Sequence, residues 1–377
     1  MHHRLAIFAA VLVFVTAAIS ARAPKWPNAF AALTSSPSCI GSSVFDIAPF
    51  HQGQKYAHAT SAVNLRDGRL RAVWYEGARE RALDVKIWTA TFDGARWSVA
   101  RPIISPAQAS EGSGRYVQRL GNPIIFRDAA GKLVIVFAGL GGIGGWDGAS
   151  LKLAYSLDEG ETWSAPRNLT TAAISNFGTN VRGPALPAAS GNYTLIPTSH
   201  EFARPFPEIL LLDDHDRVVG KRRIGINHGG TQPFVTTFNE HRAVAFMRVE
   251  KGFTLFSKTE DVGWSWTEPR PTNSPNFDSP VVAARIGNNL FIVSSYFDAA
   301  TNNWSLNFAI SADEGQSWRN IYARQFVGEA RYLWLIAGSD GLFHLLFTHA
   351  RDDGTSELMH ARISRDWIAE QGGPACP

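Results

Sequence analysis

At six places in this sequence, residues able to carry acid–base, nucleophilic or anion-binding chemistry cluster around a short apolar stretch. The first holds His58 and then Glu76-Gly77-Ala78-Arg79-Glu80, and the second Arg119 and Gly121-Asn122-Pro123. The third holds Arg182 and His200-Glu201, and the fourth His228, Gln232-Pro233 and Arg248. Asp278 and Tyr296 mark the fifth, and Glu329, Arg331, Tyr332 and His349 the sixth. Few of these are core choices, because a buried charge is costly unless paired. Glutamates can exchange protons with a reacting group, and arginines hold a carboxylate in a planar fork. The histidines show no metal-ligand spacing of the His-Glu-x-x-His kind, so no metal and no cofactor is expected. Leu140-Gly-Gly-Ile-Gly-Gly145 is rich in glycine but lacks the Lys-Ser/Thr pair and following helix of a phosphate loop. It reads as a loop at a pocket mouth, with Trp146-Asp147 as a stacking platform for a ligand.

Something must bring six distant stretches to one place, and an internal repeat supplies it. Six times a turn signal separates two short apolar strands: Asp67-Gly68, Ala130-Gly131, Ser190-Gly191, Asn239-Glu240, Gly287-Asn288 and Asp340-Gly341. The strands after them run over 70–75, 133–137, 193–197, 243–247, 290–294 and 342–348, and each is followed by an outer alternating strand such as 84–89, 151–155 or 304–310. The chemistry-bearing residues stand at the start of each first strand or just after each second one. Composition agrees with many short strands and tight turns: 45% hydrophobic, 18% charged, 33 glycines and 20 prolines in 377 residues. That balance excludes a disordered chain and a coiled coil.

A second repeat overlays the first. Ser156-Leu-Asp158-Glu-Gly160-Glu-Thr162-Trp163 recurs as Thr259-Glu-Asp261-Val-Gly263-Trp-Ser265-Trp266 and as Ser311-Ala-Asp313-Glu-Gly315-Gln-Ser317-Trp318, with a shortened copy from Thr91 through Asp93 to Trp97. The Asp and Ser/Thr side chains suit bonding to turn amides, glycine suits a left-handed position and Trp suits packing on a neighbour. These aspartates are therefore structural. S-x-D-x-G-x-T-W resembles the Asp-box, or BNR repeat, of the sialidase (neuraminidase) superfamily, over residues 56–362. Together the two repeats imply an all-β chain, a six-bladed β-propeller of four-stranded antiparallel blades of roughly 60 residues each. Such a ring brings its ends together and gathers the six clusters at one mouth of the channel.

The resemblance assigns roles. Sialidases are retaining exo-glycosidases with a tyrosine nucleophile; it opens the inner strand of the last unit, which matches Tyr332. The acid/base carboxylate follows the second strand of unit one, matching Glu80, with Glu76 as the alternative. An arginine of the substrate clamp follows the second strand of unit four, matching Arg248. Three positions depart from the pattern. Tyr56-Ala57-His58-Ala59-Thr60 stands in place of Arg-Ile-Pro, Asn302-Asn303-Trp304-Ser305 in place of a third clamp arginine, and Gln232 in place of the glutamate that activates the tyrosine. Arg331 or Arg79 would then supply the missing cations and Glu329 or Glu201 the missing carboxylate. His58, Asn122, His200 and His228 complete the expected substrate-binding set. Tyr56-Ala57-His58, Trp74-Tyr-Glu-Gly-x-Arg-Glu80, Gly121-Asn-Pro123 and Gln232-Pro233 look more like the divergent bacterial BNR-repeat, sialidase-like group.

Residues 1–23 read as a secretory signal: a basic start at Arg4, an apolar run from Leu5 to Ile19 and small residues at Ala21-Arg-Ala23. The run is short for the ~20 residues of a membrane span; cleavage after Ser20 and an uncleaved anchor are the alternatives. Residues 24–377 are then one propeller domain, secreted or periplasmic. In an exported chain the two cysteines, Cys39 and Cys376, are expected to pair. A formal charge of +3, with no basic run longer than Lys221-Arg222-Arg223, gives no footprint for nucleic acid. The expected partner is a glycan or acidic polysaccharide. The expected function is hydrolysis of a terminal acidic sugar; the alternatives are a non-catalytic carbohydrate-binding propeller and a polysaccharide lyase using a pair such as His228 and Tyr332.

Overall fold

The computed structural model describes residues 26–31, 36–53, 55–142, 144–172, 176–227 and 229–376. The proposed signal, 1–23, and His228 lie outside the described residues. Strand β1 (Phe45–Gln52) leads the chain but belongs to the last blade. Blade one is β2 (Tyr56–Asn64), β3 (Leu70–Gly77), β4 (Lys86–Phe92) and β5 (Arg101–Ile104). Helix α1 (Pro106–Ser113), closed by a capping box between Ser105 and Gln108, leads to blade two. That blade is β6 (Arg119–Arg127), β7 (Leu133–Leu140), β8 (Ser150–Ser156) and β9 (Arg167–Asn168). In blade three the inner strand is broken into β10 (Thr179–Val181) and β11 (Leu186–Pro187), followed by β12 (Tyr193–His200), β13 (Phe206–Asp213) and β14 (Val218–Arg223). Blade four is β15 (Thr231–Thr237), β16 (Ala243–Arg248), β17 (Gly252–Thr259) and β18 (Arg270–Asn276), and blade five is β19 (Val282–Ile286), β20 (Asn289–Asp298), β21 (Asn303–Ser311) and β22 (Arg319–Phe326). Blade six takes β23 (Glu329–Ala337), β24 (Phe343–Ala350) and β25 (Ser356–Ile363) from the end of the chain and β1 as its outermost strand. Helix α2 (Arg365–Glu370) follows. Among the described residues no helix is long and apolar enough to cross a membrane.

The second strand of each blade is buried on both faces, which explains its apolar run; every residue of β7, Leu-Val-Ile-Val-Phe-Ala-Gly-Leu, is buried. The faces pack blade on blade. Val73 and Tyr75 of blade one meet Ile125, Ile135 and Phe137 of blade two. Leu195, Ile209 and Leu211 of blade three meet Val235, Ala245 and Met247 of blade four. Each such fully buried side chain stabilises the ring by roughly 1.5–3 kcal/mol.

The Asp-boxes form the hairpins between third and fourth strands. In blade two Asp158 Oδ1 accepts from Thr162 N (2.9 Å), Thr162 Oγ1 donates to Oδ2 (2.6 Å), and Ser156 Oγ accepts from Gly160 N (2.8 Å). Gly160 has φ +88° and a Cβ there would strike the Arg71 side chain. Asp261 and Asp313 repeat these bonds. Hydrogen bonds to Thr162 and Ser156 hold the Asp158 carboxyl well below its usual range, so it serves the turn as a fixed carboxylate.

The ring closes because β1 pairs antiparallel with β25, with Phe45 opposite Ile363. Phe45 stacks on Trp367 of α2 at 4.1 Å, and Ile40 N and Gly41 N donate to Asp366 (2.9 and 3.1 Å). Cys39 and Cys376 are joined, with Cα atoms 5.9 Å apart. The bridge spans 337 residues of sequence, so it removes much freedom from the unfolded chain. Its loss in Cys39→Ser is expected to cost about 2–5 kcal/mol. Urea unfolding with and without reductant checks this; coincident curves would show that β1 pairing alone sets the stability of the seam.

Candidate functional site at the channel mouth

The inner strands of blades one, two, four and six share a device. Each breaks register near its start: between His58 and Ser61, Gly121 and Ile124, Thr231 and Phe234, and Arg331 and Trp334. Each break carries a non-glycine residue with left-handed backbone: Ala59 (φ 58°), Asn122 (45°), Gln232 (49°) and Tyr332 (57°). Asp278, ahead of β19, adopts the same conformation (44°). Such residues cost about 1–3 kcal/mol each and cluster where a fold aims side chains at a site. Blade three differs: Arg182 stands in the gap between β10 and β11.

Tyr332, Arg248, Gln232, Asp278 and Arg331 come together there. Arg248 Nη1 donates to Tyr332 Oη (3.2 Å) and to Gln232 Oε1 (3.1 Å), and Arg248 Nε donates to Asp278 Oδ1 (2.9 Å). Arg331 Nη1 lies 3.6 Å from Asp278 Oδ2, and its other amino group pairs with Glu329. Burial works against the Arg248 charge, but Tyr332 and Asp278 outweigh it and hold the guanidinium above its ordinary pKa. Arg248 therefore stays cationic while touching the phenol oxygen. A cleft of about 370 Å³ opens beside it, lined by Gly230, Thr231, Arg248, Val249, Glu250 and Asp278.

His58 packs on Tyr332 with ring centroids 4.0 Å apart. Burial first, then Arg331, Arg182 and Arg248, push its pKa well below the ordinary value, so it is neutral. Its Nδ1 has no partner among the described residues. A hydrogen-bonded rim runs from blade one to blade three. Tyr56 Oη donates to Glu80 Oε2 (3.4 Å), Trp146 Nε1 donates to Glu80 Oε1 (2.9 Å), and Asn180 Nδ2 donates to Trp146 O (3.0 Å) and Glu201 Oε2 (2.8 Å). Burial raises the Glu201 pKa, opposed by Ser199, Arg248 and Asn180. Gly121 lets Trp146 into this rim: a Cβ there would stand 2.1 Å from the indole.

The other expected site residues are placed differently. Glu76 faces away. Side chains alternate along β3, so Tyr75 shares the face of His58 while Glu76 turns to the opposite one, accepting from His51 Nε2 (2.7 Å) and Trp74 Nε1 (3.0 Å). Arg79 is exposed on its loop. His200 stacks on Phe206 at 5.0 Å, and Asn122 is buried with Oδ1 unpartnered among the described residues. His349 bonds Glu357 and the Val327 carbonyl. Asn180 belongs to the site although it stands in none of the six clusters; Asp278, which marks the fifth cluster, and Tyr56, which opens the first inner strand, belong to it too, without a role assigned to them from sequence. Among the described residues, the two groups close enough to share a metal are Cys39/Asp366/Cys376, where the thiols are bridged, and the exposed Asp213-Asp214-His215 turn.

Six four-stranded blades, Asp-box hairpins and a polar mouth of arginine, tyrosine and histidine define a sialidase-like six-bladed propeller. The chain belongs to the BNR repeat-like domain family, whose model matches residues 68–345. Many solved structures share the fold. A protein of unknown function from Dyadobacter fermentans superposes with a TM-score of 0.69 at 13% identity, covering 86% of this chain and 98% of its own. The Hadza microbial sialidase Hz136 gives 0.64 at 18%, covering 83% and 66%. Trypanosoma rangeli sialidase gives 0.61 at 16%, covering 90% and 61%, so the chain spans about two-thirds of the length of these sialidases. No curated protein matches the chain significantly.

Proposed function

We propose that the chain is an exported glycoside hydrolase that removes a terminal acidic sugar with retention of configuration, Tyr332 being the nucleophile. One observation carries the reading: Arg248 Nη1 sits 3.2 Å from the Tyr332 hydroxyl at a left-handed bulge of the channel mouth. The Tyr332 oxygen attacks the anomeric carbon and the bond to the leaving oxygen breaks. Glu80, as the acid, gives that oxygen its proton. Water then attacks the anomeric carbon, Glu80 takes its proton, and the tyrosyl–sugar bond breaks. A fixed cation at the phenol oxygen stabilises the charge that gathers there, with no reorganisation at the moment of reaction. Gln232 cannot accept the phenol proton as a glutamate would, so that proton passes to water while Arg248 stabilises the phenolate, and the phenolate released in the second step takes a proton back from water. Arg248 and Arg331, bridged by Asp278, offer the substrate carboxylate its fork of donors.

A second reading, eliminative cleavage of a uronate polysaccharide, draws on Gln232 and on neutral His58 against Tyr332. Incubation of the purified protein with a sialoside and a panel of acidic polysaccharides, with mass analysis of the products, separates the readings. Hydrolysis adds one water per bond cut; elimination adds none and gives an unsaturated product that absorbs in the ultraviolet. Glycan binding without any product would overturn both and leave a carbohydrate-binding propeller.

A further inference from the structure

Arg182 lies in the gap of the blade-three inner strand and reaches across the channel to two other blades. Its Nη2 donates to Thr60 O of blade one (2.9 Å) and to Tyr332 O and Leu333 O of blade six (2.8 and 3.2 Å). Thr60 follows Ala59, the left-handed residue of the blade-one bulge, and Tyr332 is the left-handed residue of the blade-six bulge. The guanidinium carbon stands 5.6 Å from the Tyr332 ring centroid and 5.7 Å from that of Trp334. We propose that Arg182 is a positioning residue, a crossbar that fixes the two strained bulges so that His58 and Tyr332 meet at the channel mouth. The inference rests on the reading that Tyr332 acts on substrate.

Fold stability alone does not explain this side chain. Arg182 is 2% exposed, forms no ion pair with a carboxylate among the described residues, and its Nε and Nη1 have no acceptor among them. Burial pushes its pKa down to about 10. A buried guanidinium without a carboxylate carries a desolvation cost that hydrogen bonds to neutral carbonyls repay only in part. What the charge supplies is three held carbonyls at two backbone positions that the chain would otherwise relax. At 2% exposure it does not touch substrate, so it acts through Tyr332 and His58.

The test compares wild type, Arg182→Met and Arg182→Lys, with Tyr332→Phe as the control, on a fluorogenic α-sialoside, and adds crystal structures of wild type and R182M. R182M removes the desolvation cost of the cation but leaves three carbonyls without its donor, so its melting temperature is expected to shift by only a few degrees. Its kcat should fall on the order of 100-fold, the scale of a 1 Å misplacement, with KM changed less than about threefold. R182K should recover part of the loss. In the R182M crystal structure Tyr332 should leave its left-handed conformation or move off His58. Should R182M fail to fold, Arg182→Gln carries the same measurements. A lowered melting temperature with kcat unchanged marks a merely structural residue and overturns the proposal. So does an R182M structure that keeps the φ of Tyr332 and its contact with His58, a readout that needs no substrate. Equal turnover by wild type and Y332F would instead sink the reading of Tyr332, while the two crystal structures would still decide the crossbar.

Discussion

Tyr332→Phe is expected to lower kcat by on the order of 10⁴-fold while leaving the fold intact. The variant deletes one oxygen. The phenyl ring can keep its contact with His58 at 4.0 Å and its place under Arg182, and the carbonyl that Arg182 holds is untouched. Arg248 loses one acceptor but keeps Gln232 and Asp278, so no buried cation is left alone. The stability change should therefore stay near the ~1 kcal/mol of a single hydrogen bond. Turnover should collapse, because removing a nucleophile leaves only substrate binding and electrostatic stabilisation. Steady-state kinetics with unfolding curves on the same preparations check both halves. An exchange of less than tenfold in kcat would remove Tyr332 from the chemistry and favour a binding role for the mouth.

The repeats made the ring legible from sequence alone, because a blade needs turns, apolar middle strands and Asp-box hairpins at regular intervals, all of which are local signals. Strand β1 was not legible as a strand. Its sequence Phe-Asp-Ile-Ala-Pro-Phe-His-Gln carries only weak alternation, and it is held by pairing with β25 across almost the whole chain. The mouth was legible in part. Positions at the starts of inner strands predicted Tyr332, Gln232 and His58, and the end of a second strand predicted Arg248. The left-handed bulges that aim them were not predicted, since Tyr, Gln and Ala give no sign of positive φ as glycine does. Glu76 shows the same limit in reverse: one step along β3 changes the face, and the composition of the stretch does not reveal which step the blade takes. Arg182 was visible as a polar residue at the right place, but its three carbonyl acceptors belong to other blades.

The seam between blades six and one is expected to fail first in acid. Trp97 Nε1, which can only donate, bonds His360 Nδ1 (3.1 Å). Neutral His360 must then carry its proton on Nε2 and donate to His344 Nδ1 (2.8 Å), leaving His344 Nε2 to donate to Asp340 Oδ1 (3.0 Å). Burial works against the Asp340 charge, yet the hydrogen bonds from His344 and from Leu342 N outweigh it and keep the carboxyl below its ordinary value. Phe50 of β1 stacks on Trp97 at 4.2 Å, so the relay sits where the N-terminal strand closes the ring. A second proton on His360 would set two donors head to head at Trp97. Burial, His344 and Arg362, the last paired with Asp46, accordingly push its pKa down to about 3, against the pull of Asp340. A histidine whose folded pKa lies below its unfolded value of about 6.5 contributes full stability above 6.5 and loses it as pH falls towards 3. The loss approaches about 1.4 kcal/mol per pH unit, so about 2 kcal/mol disappears between pH 6.5 and 4.5 through His360, with buried His58 adding to the slope. His360→Gln should reduce this acid slope by about one proton, read as the difference between urea-unfolding free energies at the two pH values. Carboxylates that titrate in the same range affect both proteins alike. Parallel profiles for wild type and H360Q would refute the assignment of the acid-sensitive seam to this relay.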